Sequence, residues 1–293
     1  MSHLTPAAAA DVFRREPDRF LDVDAGDVAY RRVGSGPDVL FVHGWPVSGA
    51  TFRTLLPHLV DHVTCHVIDL PGAGSSRFTS DTTLTIHQHI RTVQRVLDVL
   101  ELNDVAVVGH DSGGMIARHA VAGDSRLRAM GLINTEQSHG LSWRFKLFLA
   151  ARSMPGLAAG LGWVAGQKRL RRNPFLLGDA FADAAFLDGE FDEFFLRPLH
   201  DIPARREAAV RLLRSFDTQY VHDLAAVHHR IGVPVRLVWG DQDPFFPLKW
   251  AQEMVGTFPN ASLHVVEGAG LFAHEERPAE VAQALLPVLL GES

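Results

Sequence analysis

Short β-branched runs alternate with longer helical patterns along most of this chain, and that alternation restricts the fold more than any other feature. The runs Val39–His43, His66–Leu70, Val105–His110, Ala129–Asn134, Val235–Gly240 and Leu263–Gly268 read as buried parallel strands. Helical patterns cover Leu84–Leu100, Gly113–Ala122, Leu248–Thr257 and Pro278–Leu290. Strands separated by helices predict a mostly parallel sheet with helices on both faces. Two earlier runs, Arg19–Val23 and Val28–Val33, flank a turn at Ala25–Asp27 and predict an antiparallel hairpin leading into the sheet.

The alternation stops between about Gln137 and Ile231, where the sequence is rich in Leu, Ala, Phe and Arg and holds no clear strand. The expected organisation is a core domain made of residues 1–136 and 232–293, with 137–231 inserted as a helical cap. A length of 293 residues suits one large α/β domain carrying an insertion. The most apolar stretch, Leu147–Gly166, is interrupted by Arg152 and Pro155, so it predicts a protein-buried or substrate-facing surface and no stable membrane insertion. The basic run Gln167–Arg172 reads as a solvated face.

Net charge is −6, which disfavours a nucleic-acid partner because phosphate binding wants a basic face. Cys65 is the one cysteine; it predicts core packing and excludes an intramolecular disulfide. No basic start followed by an apolar stretch marks the N-terminus, and a cytoplasmic setting is expected. No histidine–carboxylate cluster has a metal-ligand spacing, and Gly72–Ser76 lacks the lysine of a phosphate loop, so neither metal nor nucleotide cofactor is expected.

The sharpest motif is Val107–Ala117, VVGHDSGGMIA, where a strand runs into a helix. Small residues two before and two after a central residue permit a strained turn that pushes the central side chain out over the sheet. Here the centre is Asp111, between Gly109 and Gly113. Centring on Ser112 instead would put His110 where a small residue is needed. A carboxylate at that point can displace a leaving group from a saturated carbon and form an ester with the protein. Cleaving the ester then needs a general base and an oxyanion hole. The loop Val42–Pro46, VHGWP, ends an earlier strand and would lay a backbone N–H beside Asp111. Trp45 and Ser112 are the expected oxyanion donors, and His43 reads as a loop-fixing residue. After a late strand, Val238–Pro247 (VWGDQDPFFP) supplies an acid: Asp243, with Asp241 as its neighbour, suits the orientation of an imidazole. Glu136, just after GLINT, is a second candidate acid.

Together, His43–Pro46, Asp69–Ser76 (DLPGAGSS), Gly109–Gly114, Gly240–Asp243 and the closing HEERP resemble the α/β-hydrolase superfamily, and within it the epoxide hydrolase and haloalkane dehalogenase group. The resemblance implies an α/β-hydrolase fold with a cap closing an apolar pocket, Asp111 as nucleophile, and Asp243 as the acid that orients a histidine. Glu136 matches the acid position of relatives that carry it after the preceding strand. Three departures stand out. The family histidine position matches Leu271, and the nearest histidine is His274, three residues on. Ser112 stands where dehalogenases usually place a halide-binding tryptophan. Of the two tyrosines, Tyr30 lies in the hairpin, leaving Tyr220 as the candidate cap acid.

The expected activity is hydrolysis of a small or medium apolar substrate through an Asp111 ester, epoxide opening foremost, with a rearranged His274 as base. Dehalogenation by the same nucleophile is the alternative. So is a ligand-binding or single-turnover protein in which Leu271 leaves the ester uncleaved.

Overall fold

The computed structural model describes residues 4–24 and 26–292. Among these, eight strands form one sheet: β1 (Arg19–Val23), β2 (Gly26–Gly34), β3 (Asp38–Val42), β4 (Thr64–Asp69), β5 (Val105–His110), β6 (Leu127–Ile133), β7 (Val235–Gly240) and β8 (Ala261–Val266). Their spatial order is β1-β2-β4-β3-β5-β6-β7-β8. The pairings from β4 to β8 are parallel; β1–β2 and β2–β4 are antiparallel. The expected hairpin is present, although Ala25 of its turn lies outside the described residues.

Every residue of β4 and β5 is buried, as their continuous apolar runs require of strands covered on both faces. The helices Ile86–Val99 and Ser112–Val121 pack on one another, the second also against β5. Helix Pro278–Leu290 packs on β6 and β7. Helix Ile86–Val99 is fixed at its start by Thr85, whose side chain accepts the Gln88 N–H, and it turns Ile86, Ile90, Val93, Val96 and Leu97 to the core.

Three local expectations need correction. The run expected at Leu263–Gly268 falls on an edge strand, β8, which ends at Val266 and is only half-buried because one side has no neighbouring strand. The helix expected over Leu248–Thr257 is α-helical to Met254 and tightens into a 3₁₀ turn over Val255–Thr257. An N-terminal helix, Pro6–Arg14, was not expected. Its signals are nonetheless plain: a Thr5 cap accepting the Ala8 N–H, proline in the first turn, and an alanine run. It buries Ala9, Ala10 and Phe13.

Between β6 and β7 the described elements are helices and turns, apart from an isolated bridge between Gln137 and Gly140. The apolar stretch here splits into Trp143–Ser153 and Leu157–Gly166, bent by 120°, and among the described residues no single helix is long and apolar enough to cross a membrane. The last part of this segment packs on the core: His228 stacks on Phe258 with ring centroids 3.8 Å apart. Cys65 is fully buried in β4, and burial pushes its thiol up to about 12.

Candidate active site

Parallel strands deliver their C-terminal ends to one edge of the sheet, where ligands of open α/β sheets bind. That edge gathers His43–Pro46 after β3, Asp111 after β5, Asn134–Glu136 after β6 and Asp241–Asp243 after β7.

Asp111 sits at φ 50°, ψ −138°, a conformation that non-glycine residues rarely adopt and that the surrounding packing must enforce. Its N–H donates to Asn134 O at 2.9 Å. The flanking glycines explain how the turn fits. A Cβ at Gly113 would lie 2.3 Å from the backbone oxygens of both Val42 and His43, and one at Gly109 would lie 2.5 Å from Gly114 Cα. Gly44 is equally constrained, since a Cβ there would come within 2.4 Å of Asp111 Oδ2. Gly113→Ala is therefore expected to cost about 1–3 kcal/mol in a thermal or urea melt, because the clash is with backbone that cannot rotate away.

The carboxylate of Asp111 is gripped by backbone donors. Trp45 N–H donates to Oδ2 at 2.8 Å, and the nearby Ser112 N–H also favours the anion. The two expected oxyanion donors thus converge on Asp111. The Trp45 ring is pinned by its indole N–H to Ala209 O at 2.8 Å and meets Phe148 edge-on at 5.1 Å. His43 does hold this loop: its Nδ1 donates to Gly44 O at 2.9 Å, leaving Nε2 to accept the Leu70 N–H at 2.8 Å.

Asp111 opens into a cavity of about 90 Å³ walled by Phe145, Phe148, Leu213, Phe216, Phe245, Phe246 and Leu271. Glu136 lines the same cavity, and these two carboxyls are the titratable side chains in its wall. A larger adjoining cavity, about 260 Å³, shares Trp45, Pro46, Ser112 and Leu212 with it and has a mainly apolar lining into which Arg31, Asp69 and His89 are set.

Both carboxyls are held above the usual carboxylate range. For Asp111 the cause is first burial, then the charge of Glu136, with the Trp45 and Ser112 N–H groups opposing. For Glu136 it is burial, opposed by its own backbone N–H, by Arg118 and by Thr135. Beneath them lies a polar network that sequence reading missed. Arg118, on the helix after Asp111, is fully buried. Its Nη2 donates to Thr135 Oγ1 at 2.9 Å and to Glu136 O at 2.7 Å, its Nε to Gly114 O at 3.0 Å, and its Nη1 to His228 Nε2 at 2.9 Å. The signal was an arginine on an otherwise apolar helix face and a polar Asn-Thr-Glu directly after a buried strand.

Asp243 stands behind the cavity wall. Its Oδ1 accepts the N–H groups of Phe245 (2.8 Å) and Phe246 (3.1 Å), and its Oδ2 accepts Asn134 Nδ2 at 2.8 Å. Burial pushes this carboxyl up to about 7, against the pull of those three donors. None of its partners is an imidazole. Asp241, the neighbouring candidate, accepts the Gly268 N–H at 2.8 Å and caps a loop.

His274 does not reach the cavity. A helical turn begins at Ala273 and rotates the ring to the far side, where Nε2 meets Thr51 Oγ1 at 2.8 Å. The ring packs against His110, 4.4 Å between centroids, and against Phe52 and Phe272. Its pKa is lowered well below the ordinary histidine value by burial and by its neighbours His110 and Arg53. His110 is buried beside it with Nε2 bonded to Leu271 O at 3.0 Å, and burial lowers it to about 3. The expected rearrangement of His274 toward Asp111 is therefore absent, and Leu271 itself occupies the wall. The glutamates that follow also serve packing: Glu275 pairs with Arg53 at 2.6 Å, and Glu276 accepts the Gly270 N–H at 2.6 Å.

Tyr220 is likewise outside the cavity. It lies on the short helix Gln219–His222, edge-on to His119 at 5.2 Å, because that helix packs against the one that follows Asp111. His139 pairs with Glu253 at 3.0 Å, while Trp143 and Trp163 are largely exposed, so these too are absent from the wall. Among the described residues, no group of three or more His, Cys, Asp or Glu could hold a metal ion.

A strained acidic residue between glycines at the strand-to-helix turn, facing a backbone donor from the β3 loop, is the geometry of a nucleophile elbow. The family model for the alpha/beta hydrolase fold matches residues 37–278. The chain belongs to the α/β hydrolase fold family. Haloalkane dehalogenase 2 of Mycobacterium tuberculosis is 26% identical over 280 residues, covering 92% of this chain and 93% of the relative. The pimeloyl-[acyl-carrier protein] methyl ester esterase of Xanthomonas campestris is 26% identical over 256 residues, covering 86% and 95%. Among solved structures, the epoxide hydrolase CorEH superposes with a TM-score of 0.76 at 20% identity, covering 94% of this chain and 99% of that one. The hydrolase assignment thus rests on family membership.

Proposed function

We propose that this chain is a hydrolase that opens an epoxide on a small or medium apolar substrate by forming an ester on Asp111. The observation that carries the reading is the Asp111 carboxylate at the base of an apolar cavity, with Trp45 N–H 2.8 Å from Oδ2. A carboxylate attacks a saturated carbon from such a site, and the same N–H groups then face the ester oxygen on which charge develops when water attacks. The aromatic wall favours an apolar body, and the cavity of about 90 Å³ favours a compact one. Ser112 follows the nucleophile and offers no indole to a departing halide, which ranks dehalogenation second. Relatives named for dehalogenation and epoxide hydrolysis are compatible with either leaving group on one scaffold.

The test is turnover of styrene oxide, 1,2-epoxyhexane and 1-bromohexane by wild type and Asp111→Asn, reading diol and bromide. Diol formation by wild type alone is expected. Equal turnover by both proteins would sink the reading, and bromide release without diol would move it to dehalogenation.

Leu271 favours a second reading, in which the ester forms and persists. Leu271 lines the cavity, and Phe245 and Phe246, the backbone donors to Asp243, line it too. An imidazole introduced by Leu271→His would sit at the family's histidine position near the unused Asp243. Ester release in that variant is expected to quicken by about 10²-fold, the lower end of what a positioned general base contributes. Intact-mass measurement through a chase without substrate follows the release. An unchanged adduct lifetime would show that Asp243 has no remaining role in orienting a base.

A further inference from the structure

We infer that Glu136 is the proton-transfer residue of this site, giving its proton to the departing oxygen and then taking one from the hydrolytic water. The inference rests on the Asp111 ester proposed above and assigns the residue that completes that reaction where the imidazole is replaced by Leu271.

Position comes first. Within the cavity wall, Glu136 is the titratable side chain other than Asp111; His110 and His274 lie behind the wall and Tyr220 lies away from it. Trp45 spends its indole N–H on Ala209 O. Thr135 then links the two residues. Its Oγ1 has one proton and two acceptors in reach, Asp111 O at 2.7 Å and Glu136 Oε2 at 3.1 Å, while Arg118 Nη2 already donates to it. The single hydroxyl proton serves one of these acceptors at a time, and while it is on Asp111 O a protonated Glu136 can donate to Oγ1 instead. Asp111 Oδ2 accepts the Trp45 N–H at 2.8 Å, a donor that favours its anion. Two buried carboxyls that share a site retain one proton between them, and the reaction starts from the form with Asp111 as anion and Glu136 as acid.

That single proton balances the reaction. Asp111 Oδ attacks an epoxide carbon, the carbon–oxygen bond breaks, and the released alkoxide takes the proton of Glu136. Water then attacks the ester carbon as the Glu136 carboxylate takes a proton from it, and the negative oxygen of the intermediate faces the backbone donors. Collapse expels the second alkoxide, which takes the remaining proton from the regenerated Asp111 carboxyl. The sum is epoxide plus water to vicinal diol, with the pair returned to one proton.

Two probes separate the two roles. A bromide leaves unprotonated, whereas an epoxide oxygen does not. With 1-bromohexane, Glu136 first releases its proton to solvent and only then serves as base; Glu136→Gln is expected to release one bromide per protein and keep the alkyl ester on Asp111, seen by intact mass and peptide mapping, while wild type clears it. With styrene oxide the same variant is expected to lose at least about 100-fold in diol formation without accumulating adduct, since acid catalysis of opening is gone. Wild-type rates with either probe in Glu136→Gln would overturn the inference. So would an adduct that also persists in wild type, which leaves the Asp111 reading intact. Absence of any Asp111 adduct or product from wild type and variant alike would instead remove the ester reading itself. Should Glu136→Gln fail to fold, Glu136→Asp keeps the acid one methylene back. Its ester is expected to last about 10-fold longer than in wild type, and an unchanged lifetime would overturn the assignment.

Discussion

Asp111→Asn is expected to lower turnover by at least about 10⁴-fold, with no adduct detectable by mass, while the melting temperature falls little or rises. The amide matches the carboxylate in shape but is a far weaker nucleophile, so the loss lies in the chemical step. Stability should survive because the buried charge is removed with it. Asp111 is raised well above the usual range by burial and by Glu136, which means the native state pays to keep it ionised. The backbone donors of Trp45 and Ser112 keep an oxygen acceptor if the amide oxygen takes the place of Oδ2. Steady-state rates, together with a thermal melt of the same preparations, check both halves. A variant that retains a tenth of the wild-type rate would mean that the carboxylate is not the attacking group.

Arg118→Ala is expected to be the most damaging change to stability among the residues around the site, at about 3–5 kcal/mol, the range for removing one partner from a buried charged network. For a chain of this size that corresponds to a fall in melting temperature of roughly 6–20 °C. The guanidinium joins three parts of the structure. It bonds the Gly114 carbonyl on its own helix, Thr135 and the Glu136 carbonyl after β6, and His228 at the end of the helical insertion. Burial lowers it only to about 10, with Glu136 opposing, so it remains charged at neutral pH and its removal leaves Glu136 without that support. The truncation also opens a cavity between the helix and the β6 loop, adding a packing loss. Arg118→Lys should recover only part of the stability, because an ammonium cannot reproduce the guanidinium fork. Urea unfolding of the three proteins checks the order; a loss under 1 kcal/mol for Arg118→Ala would show that the network is dispensable.

Much of this was legible in the chain. The alternation of β-branched runs with helical patterns places β3 to β7 within a few residues, because a strand covered on both faces must be apolar throughout. Gly109, Asp111 and Gly113 mark the elbow because only small flanks allow the backbone approach now seen between Gly113 and the β3 loop. The N-terminal helix was missed although Thr5, Pro6 and the alanines announce it, and β8 was read as fully buried because nothing in its composition reports that it ends the sheet.

The sequence by itself determined the fold class, the acidic residue at the strained turn and a side chain at position 271 that cannot act as a base, since each depends on local backbone preference or on a single residue's chemistry. Only the tertiary structure decided which groups meet. His274 is three residues from Leu271, yet a helical turn carries it to Thr51 and His110, on the other side of the wall. Glu136 is far from Asp111 in the chain, yet β5 and β6 are neighbours and parallel, so both strands end at the same cavity. Strand order and helix rotation are long-range properties, and they place a second carboxyl, rather than a histidine, beside Asp111.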